Sequence, residues 1–203
     1  MKTTRPLFPS PAVPFTTPRL LLRPMRAEDA ADLHILRTQY EVMKWTSTAK
    51  MDADLAFTAS WMARFLPPND ATTFNFVVEE LSNPGRVIGI AGSHIAEPPE
   101  CGYMLRSDMW GKGYATEAVK AWLIEHWKLP RKEVDVDEQM IGHFDRHVDN
   151  GIYRELLRAD IVEDNLASAK VLKKCGFVRA GSEQQDENGQ KVTVVYLYLE
   201  RPV

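Results

Sequence analysis

This sequence contains few cysteines, no long apolar segment and no excess of either charge. Its 203 residues include two cysteines, Cys101 and Cys175, which are too few for a disulfide scaffold. No segment approaches the roughly 20 consecutive apolar residues that a membrane-spanning helix needs. The 25 basic and 28 acidic residues give a net charge of −3, so the chain lacks the basic surface that binds a nucleic-acid backbone. We therefore expect neither a membrane nor a nucleic acid as partner.

Composition and proline content predict the domain organisation. The chain is 44% hydrophobic and 26% charged, which is typical of one globular domain with a sizeable core. Residues 1–16 contain four prolines and no apolar segment of the secretory type. We expect an extended, partly disordered arm at 1–16, a single domain at 17–203 and a cytoplasmic location.

Neither the cysteines nor the histidines predict a reactive or metal-binding site. Cys101 lies in a predicted strand and Cys175 at the buried end of a predicted helix, so both are expected to be core thiols rather than catalytic ones. His143 and His147 are four residues apart, a spacing that can hold zinc on a helix. Because no third ligand accompanies them, we expect two solvated histidines and no metal.

The most informative segment joins an apolar strand to an amphipathic helix. It reads Trp110-Gly111-Lys112-Gly113-Tyr114-Ala115-Thr116-Glu117. Glycines let a ligand approach the backbone closely, and a helix N-terminus favours an anion. The segment is neither a Walker loop nor G-x-G-x-x-G, since Thr116 occupies the third place after Gly113. From these residues alone, an ordinary strand-to-helix turn and a pyrophosphate site both remain open.

Apolar periodicity and turn residues predict the remaining elements. Residues 29–45 have the spacing of one helix, and a second helix is expected to begin with Asp52 as its N-cap. Hairpins are predicted at Ser82-Asn83-Pro84-Gly85 and at Asn188-Gly189. Antiparallel hairpins with two early and two late helices predict an α+β fold.

Three segments of the chain resemble the GNAT superfamily of N-acetyltransferases. The run Gly102-Tyr103-Met104-Leu105 with the following glycine segment resembles its acetyl-CoA signature. The run Asn165-Leu166-Ala167-Ser168 leading into 171–177 resembles its second signature, and Thr17–Arg23 resembles its first strand. The subgroup that these segments resemble most contains ribosomal-protein N-terminal acetyltransferases and acetylases of small amines. The resemblance implies a three-layer fold whose central, mostly antiparallel mixed sheet splays at the cofactor strand.

The same resemblance implies acetyl-CoA as co-substrate and a set of residues that bind it. The main chain of Met104, Leu105 and Arg106 would pair with the pantetheine amides, and an N–H near Leu105 would stabilise the oxyanion. Asn165 and Ser168 would contact the cofactor at the second signature. The Lys112 side chain would add a positive charge for the pyrophosphate. The pyrophosphate would lie on main-chain N–H groups of the segment Gly111, Lys112, Gly113, Tyr114, Ala115 and Thr116.

Ser168 and Glu100 are the candidate catalytic side chains. By its place in the family pattern, Ser168 would donate a proton to the departing CoA thiolate, because Leu172 occupies the position of the tyrosine that many members use. The alternative is a structural serine beside the Asn165 cap. Glu100 is the candidate general base, with His94 and Glu183 as alternatives. The absence of an obvious strong base favours an α-amine slightly over a lysine side chain as acceptor.

The acceptor and the insertion are the parts that the motifs do not identify. Residues 131–153 form an acidic insertion relative to the family, either a solvated surface excursion or a lid that recruits a cationic amine. We expect direct attack in a ternary complex by a peptide N-terminus or a small-molecule amine, in a monomer or homodimer. The alternative function is a catalytically silent acyl-CoA-binding regulatory or scaffold protein.

Overall fold

The computed structural model describes residues 1–94, 99–136, 148–149, 151–187 and 190–202. The helices of this part of the chain are α1 (Ala30–Arg37), α2 (Tyr40–Met43), α3 (Leu55–Met62), α4 (Tyr114–Lys128) and α5 (Leu166–Lys174). The strands are β1 (Lys2–Pro6), β2 (Phe15–Thr16), β3 (Leu20–Arg23), β4 (Thr73–Glu80), β5 (Val87–His94), β6 (Glu100–Leu105), β7 (Arg131–Asp135), β8 (Val148–Asp149), β9 (Ile152–Tyr153), β10 (Leu156–Val162), β11 (Val178–Glu187) and β12 (Gln190–Glu200).

The main sheet has the strand order β11-β12-β10-β6-β5-β4-β3-β2. All neighbours in it are antiparallel except β6 and β10, which run parallel. A single register pair, Glu100 with Arg158, joins β6 to β10, supported by a 2.8 Å bond from Arg158 N to Pro99 O. Beyond this bridge the two strands diverge. The expected α+β fold with a mixed sheet that splays at the cofactor strand is confirmed.

The main sheet separates two hydrophobic cores. On one face, α4 and α5 cover the larger core, where Trp122 packs against Phe74 and donates from Nε1 to Phe74 O at 2.9 Å. On the other face, α1 and α3 cover a smaller core around Leu33 and Met62. Because side chains alternate along β4, Phe74 and Phe76 point to the larger core while Val77 points to the smaller one. The result is the expected three-layer arrangement.

The predicted helix over 29–45 is wrong in its continuity. Helix α1 ends at Arg37, and α2 begins at Tyr40, whose side chain is 60% exposed. The Thr38 N–H and hydroxyl both donate to His34 O, and Gln39 is extended because its Oε1 accepts from Ser107 N at 2.7 Å. A contact with a distant loop therefore breaks the helix.

Helix α3 also begins differently from the prediction. Asp54, not Asp52, is the N-cap, and its carboxylate accepts from Phe57 N at 2.8 Å. Asp52 is buried instead and binds Arg37 through both carboxylate oxygens at 2.6 and 2.7 Å. The Thr58 hydroxyl completes this pair with a 2.7 Å bond to Asp52. Asp52, which the sequence predicted to be a helix cap, therefore joins α1 to α3.

The expectation of a partly disordered N-terminal arm is wrong for its first residues. Strand β1 pairs antiparallel with β7 from Lys2 with Asp135 to Pro6 with Arg131, and the Met1 amino group donates to Val136 O at 2.9 Å. These strands form a second sheet of order β7-β1-β9-β8. The start of the acidic insertion is therefore a strand, β7, that pairs with the N-terminal strand β1.

The described start of the insertion lies far from the glycine segment. Strand β7 follows the C-terminal end of α4, a 15-residue helix that spans about 22 Å from its start beside Gly113. Other parts of the insertion, including Asp137, Glu138, Asp145, His143 and His147, and the turn Asn188-Gly189, lie outside the described residues. Within the described residues no group of three or more potential metal ligands is found. Every helix described is too short or too polar to cross a membrane.

Candidate functional site

A deep cleft of about 1520 Å³ opens where β6 and β10 diverge. This volume exceeds the roughly 300–1,000 Å³ of an ordinary small-molecule pocket, so the cleft has room for a long ligand or for two ligands. It runs from the N-termini of α4 and α5, past β6 and β10, to a wall made by α2, residues 44–48 and the end of α3. The expected cofactor residues and this wall, called the acceptor wall below, therefore border one continuous space.

The free edge of β6 presents main-chain groups to this cleft. Arg106 N donates to Ile88 O on β5 at 2.9 Å, and the alternation of an antiparallel ladder directs the Met104 groups to β5 as well. Tyr103 and Leu105 consequently point their main-chain groups toward the wedge, the gap that opens between β6 and β10. Leu105 O accepts from Trp110 Nε1 at 2.8 Å, which leaves the Leu105 N–H and both Tyr103 groups for a ligand. This register differs from the expectation, which gave Met104 and Arg106 the same role.

The glycine segment forms an open cradle at the start of α4. Gly111 and Gly113 have φ of 77° and 82°, in the left-handed region that favours glycine, and Gly113 is the N-cap of α4. No described residue accepts a hydrogen bond from the N–H groups of Tyr114, Ala115 or Thr116. These unpaired donors and the helix dipole favour an anion at this end of the cleft.

Arg19, at the entry to β3, holds the cradle in shape. Its guanidinium donates to Lys112 O at 3.0 Å and to Glu117 at 2.7 Å, and it lies 4.5 Å from the centre of the Tyr114 ring. The Thr17 hydroxyl donates to the same Glu117 carboxylate at 2.6 Å. Residues almost 100 positions earlier in the chain therefore position the segment. Sequence analysis placed Arg19 in a matching first strand but missed this contact.

The Lys112 side chain does not line the cleft. Its ammonium donates to the Met109 sulfur at 3.3 Å, and the residue is exposed. The backbone amides and the dipole of α4, rather than this side chain, supply the positive potential at the cradle. The expected point charge of Lys112 stays a prediction that this geometry does not favour.

Asn165 and Ser168 lie together at the start of α5. The Asn165 side chain is buried and accepts from Ser168 N at 3.1 Å, so its predicted role as helix cap is confirmed. Both residues also line the cleft. Ser168 is half-buried, and its hydroxyl neighbours the phenol of Tyr103.

Tyr103 is a polar group that sequence analysis missed. Its hydroxyl oxygen is buried and makes no hydrogen bond of good geometry to any described residue. Burial raises the pKa of this phenol, and the nearby Ser168 hydroxyl acts in the opposite direction. The phenol is therefore a neutral donor held beside Ser168. Its position inside the first signature was the available signal.

Glu100 lies at the other end of β6, next to the bridge with β10. Burial and the neighbouring Asp160 carboxylate raise the pKa of Glu100, while Arg158 opposes them. Arg158 itself is bound to Asp160. Glu100 also lines the cleft.

The two alternative bases do not share this position. The pKa of Glu183 is lowered by hydrogen bonds from Gln185 and Tyr196, and this exposed residue does not line the cleft. The side chain of His94 lies outside the described residues.

Both cysteines are buried thiols, as predicted. Burial raises the pKa of Cys175 to about 11 and raises that of Cys101 as well. A thiol in this state is a poor nucleophile, because only the thiolate attacks. The described part of the cleft thus offers no activated cysteine that could carry an acyl group.

Comparison with known proteins agrees with this geometry. Residues 19–178 match the family model described as "Acetyltransferase (GNAT) domain". An acetyltransferase of the GNAT family from Bacillus anthracis is 20% identical, covers 93% of this chain and 99% of its own, and has a TM-score of 0.69.

Two further solved structures carry named ligands. RimL, a ribosomal L7/L12 α-N-protein acetyltransferase in complex with coenzyme A, is 16% identical, with coverages of 91% and 95% and a TM-score of 0.68. A spermidine N-acetyltransferase from Vibrio cholerae, in complex with CoA and spermine, is also 16% identical, with coverages of 91% and 97% and a TM-score of 0.67. At these identities the similarity concerns the fold.

Proposed function

This chain belongs to the GNAT acetyltransferase family and is an acetyl-CoA-dependent N-acetyltransferase, and we propose that its acceptor is a primary amine that attacks the thioester directly in a ternary complex. One observation carries the proposal: the free edge of β6 and the acceptor wall open into the same cleft. An amine and a thioester bound there meet without a covalent enzyme intermediate. The buried, high-pKa cysteines support direct attack for the same reason.

The residues of the cleft fit acetyl-CoA, which supplies the activated acetyl group. The Leu105 N–H and the two main-chain groups of Tyr103 suit the amides of an extended pantetheine arm, which would take the place of a missing strand beside β6. The cradle at Gly111–Thr116 suits the pyrophosphate, since a Cβ at Gly111 would meet nothing within 4 Å. Asn165 and Ser168 face the same space from α5.

The two candidate catalytic groups lie on opposite faces of the sheet. Glu100 has the same parity as Met104, which packs on the smaller core under α1 and α3. Tyr103 packs on the larger core, beside Ser168 of α5. A thioester in the wedge would therefore have the base on one face and the hydroxyl donor on the other. This arrangement suits attack from the acceptor side and departure of the thiolate toward α5.

The free edge of β6 offers two polarising main-chain donors, the Leu105 N–H and the Tyr103 N–H. Ser168 neighbours the phenol of Tyr103 on the larger-core side of this edge. A preorganised N–H donor of this kind stabilises the negative charge that develops on the carbonyl oxygen.

Glu100 is proposed to take the proton of the amine, directly or through water. Burial and Asp160 raise the pKa of Glu100, which makes its carboxylate a stronger base than an ordinary glutamate. An α-amine with a pKa of about 8 needs little help, whereas a lysine amine at about 10.4 needs some 3 kcal/mol more. A peptide N-terminus or a small amine suits this base. The ribosomal protein and spermidine named for the two ligand-bound relatives are acceptors of these two kinds.

The test is to incubate the protein with acetyl-CoA and a panel of amines and peptides while free thiol is measured. Direct attack predicts initial-rate lines that intersect when both substrates are varied. Parallel lines, or an acetylated protein trapped before amine is added, would refute the ternary complex. If no amine accelerates thiol release although CoA binds, the acetyl acceptor is not an amine of these classes.

A further inference from the structure

The acceptor wall of the cleft contains two positive side chains that form no ion pair with a carboxylate of the described residues. Lys44 follows α2, and Arg64 follows α3, and both line the cleft. Neither forms an ion pair with any described residue. Most arginines of the described chain, by contrast, bind an acidic partner, as Arg19, Arg23 and Arg158 do.

Arg37, at the same wall, is by contrast bound to a carboxylate. Its Nε and Nη2 bind the two oxygens of Asp52 at 2.6 and 2.7 Å, and both residues are buried. Its guanidinium stacks on the Trp61 ring, 4.0 Å from the ring centre. This pair is part of the fold, because it joins α1 to α3, and its charge is neutralised.

Arg64 has no such partner among the described residues. Its Nε makes a 3.3 Å bond to Trp61 O, and its guanidinium lies over the Trp61 and Phe65 rings at 5.6 and 5.7 Å. Partial burial and the positive charge of Arg37 both lower the pKa of Arg64. Both effects disfavour the charged form of Arg64. An anion bound to its guanidinium would offset them.

Lys44 adds a second donor to the same region. Its ammonium lies 4.7 Å from the Trp45 ring and 5.9 Å from the Tyr40 ring. Glu41, the acidic residue of α2, also lines the cleft, but it is exposed and forms no ion pair with Lys44. Two exposed cations supported on aromatic rings therefore face the acceptor space.

A buried hydrogen-bond acceptor, Asn75 Oδ1, lies between the acceptor wall and the wedge. Asn75 of β4 is 9% exposed, and its Oδ1 has no hydrogen-bond partner in the described structure. In register, Asn75 pairs with Gly92, and Gly92 pairs with Gly102 of β6. Adjacent strands are about 4.8 Å apart, so Asn75 lies about 10 Å from Gly102 with no intervening side chain. Oδ1 can accept an N–H of a ligand that crosses this floor.

Glu100 gives the opposite end of the acceptor space a carboxylate that no described cation binds directly, whereas the neighbouring Asp160 is paired with Arg158. Glu100 stands two residues before Gly102 on β6, and Asp160 lies on β10 beside it. The acceptor space thus has the Glu100 carboxylate at one end, and at its outer wall two cations without an ion-pair partner among the described residues. A ligand with the reverse polarity is complementary to it.

We infer that the acceptor is an amine that also carries an anionic group, a carboxylate or a phosphate, and that Arg64 and Lys44 bind this group. The amine then lies toward Glu100, and an intervening N–H donates to Asn75 Oδ1. This inference rests on the proposed function, because it concerns the second substrate of the same reaction. It identifies a zwitterionic acceptor, such as an amino acid, a short peptide acid or an aminoalkyl phosphate.

The experiment compares matched acceptors with and without the anion. Amino acids are compared with their carboxamides, and phosphoethanolamine with ethanolamine, in the thiol-release assay. The dissociation constants of the same compounds are measured by tryptophan fluorescence on CoA-bound protein, which needs no turnover. We expect the anionic member of at least one pair to have a KM and a dissociation constant about tenfold lower, and less so at high salt. The pair that responds distinguishes carboxylate from phosphate.

The Arg64→Gln variant tests the residue. It should raise KM about tenfold for the anionic member and less than twofold for the neutral member, with kcat unchanged. Arg64→Lys should recover part of the loss, because a point charge replaces the planar guanidinium. Arg179→Gln is the control, since Arg179 is an exposed arginine that binds Glu163 away from the cleft lining.

Two failures are distinguishable. If amines are acetylated but the members of every pair have equal constants, or Arg64→Gln changes both members alike, the anionic acceptor is refuted and the proposed function stands. If no amine of any kind accelerates thiol release, both are refuted.

Discussion

Replacing Gly113 by alanine should separate the cradle's role in binding from its role in folding. Gly113 has φ 82° and ψ 0°, so an L-residue there costs about 1–2 kcal/mol of folding free energy. Steric overlap adds little, because a Cβ would meet only Arg19 Nη2 at 3.5 Å. Gly85, in the turn between β4 and β5, has φ 86°, and a Cβ there would meet nothing within 4 Å, so Gly85→Ala is a matched control.

Both variants should lose about 1–2 kcal/mol of unfolding free energy, or roughly 2–8 °C in Tm. CoA at 100 times its wild-type Kd should stabilise the wild type and Gly85→Ala by about 2.7 kcal/mol. If Gly113→Ala relaxes the cradle and loses about tenfold in affinity, the same CoA concentration adds only about 1.4 kcal/mol. Thermal unfolding with and without CoA, and calorimetric titration, measure both effects. Equal CoA affinity in the two variants would refute the assignment of the cradle to the pyrophosphate.

Three other substitutions test the remaining groups. Ser168→Ala should lower kcat about 100-fold with CoA affinity unchanged, whereas Ser182→Ala, on an exposed part of β11, should have no effect on kinetics. Glu100→Gln should lower kcat/KM and remove an acid limb whose midpoint lies above the ordinary glutamate pKa, because burial and Asp160 raise the pKa of Glu100; an unchanged pH profile would exclude it as base. Asp52→Asn should cost about 3–5 kcal/mol in denaturant unfolding, because it leaves the Arg37 guanidinium buried and unbalanced.

The features that the sequence predicted well are those that neighbouring residues determine. The open N-terminus of α4 follows from the glycines at 111 and 113, and the Asn165 cap follows from its place before α5. The splay at β6 came from the family resemblance, not from any pattern in the residues. Each of these needed only a short segment to be recognised.

The features that the sequence did not predict depend on long-range contacts. The break after α1 requires the bond from Ser107 N to Gln39, 68 residues away in sequence. Strand β1 requires β7, which pairs Lys2 with Asp135. The unbalanced charge of Arg64 becomes visible only when Arg37 is seen to be bound to Asp52. No local periodicity encodes such partners.

The single bridge between β6 and β10 divides the main sheet into two mechanical halves. Glu100 and the cradle belong to the half that contains β6, while Ser168 is borne by α5, which connects β10 to β11 in the other half. The distance between Glu100 and Ser168, the proposed base and proton donor, therefore depends on how far β6 and β10 separate. A pantetheine arm bonded to the β6 edge would act as a spacer that sets this opening. The emptied enzyme and the loaded enzyme should then differ in stiffness, with the Tyr103 and Leu105 amides exchanging hydrogen slowly only when the spacer is present.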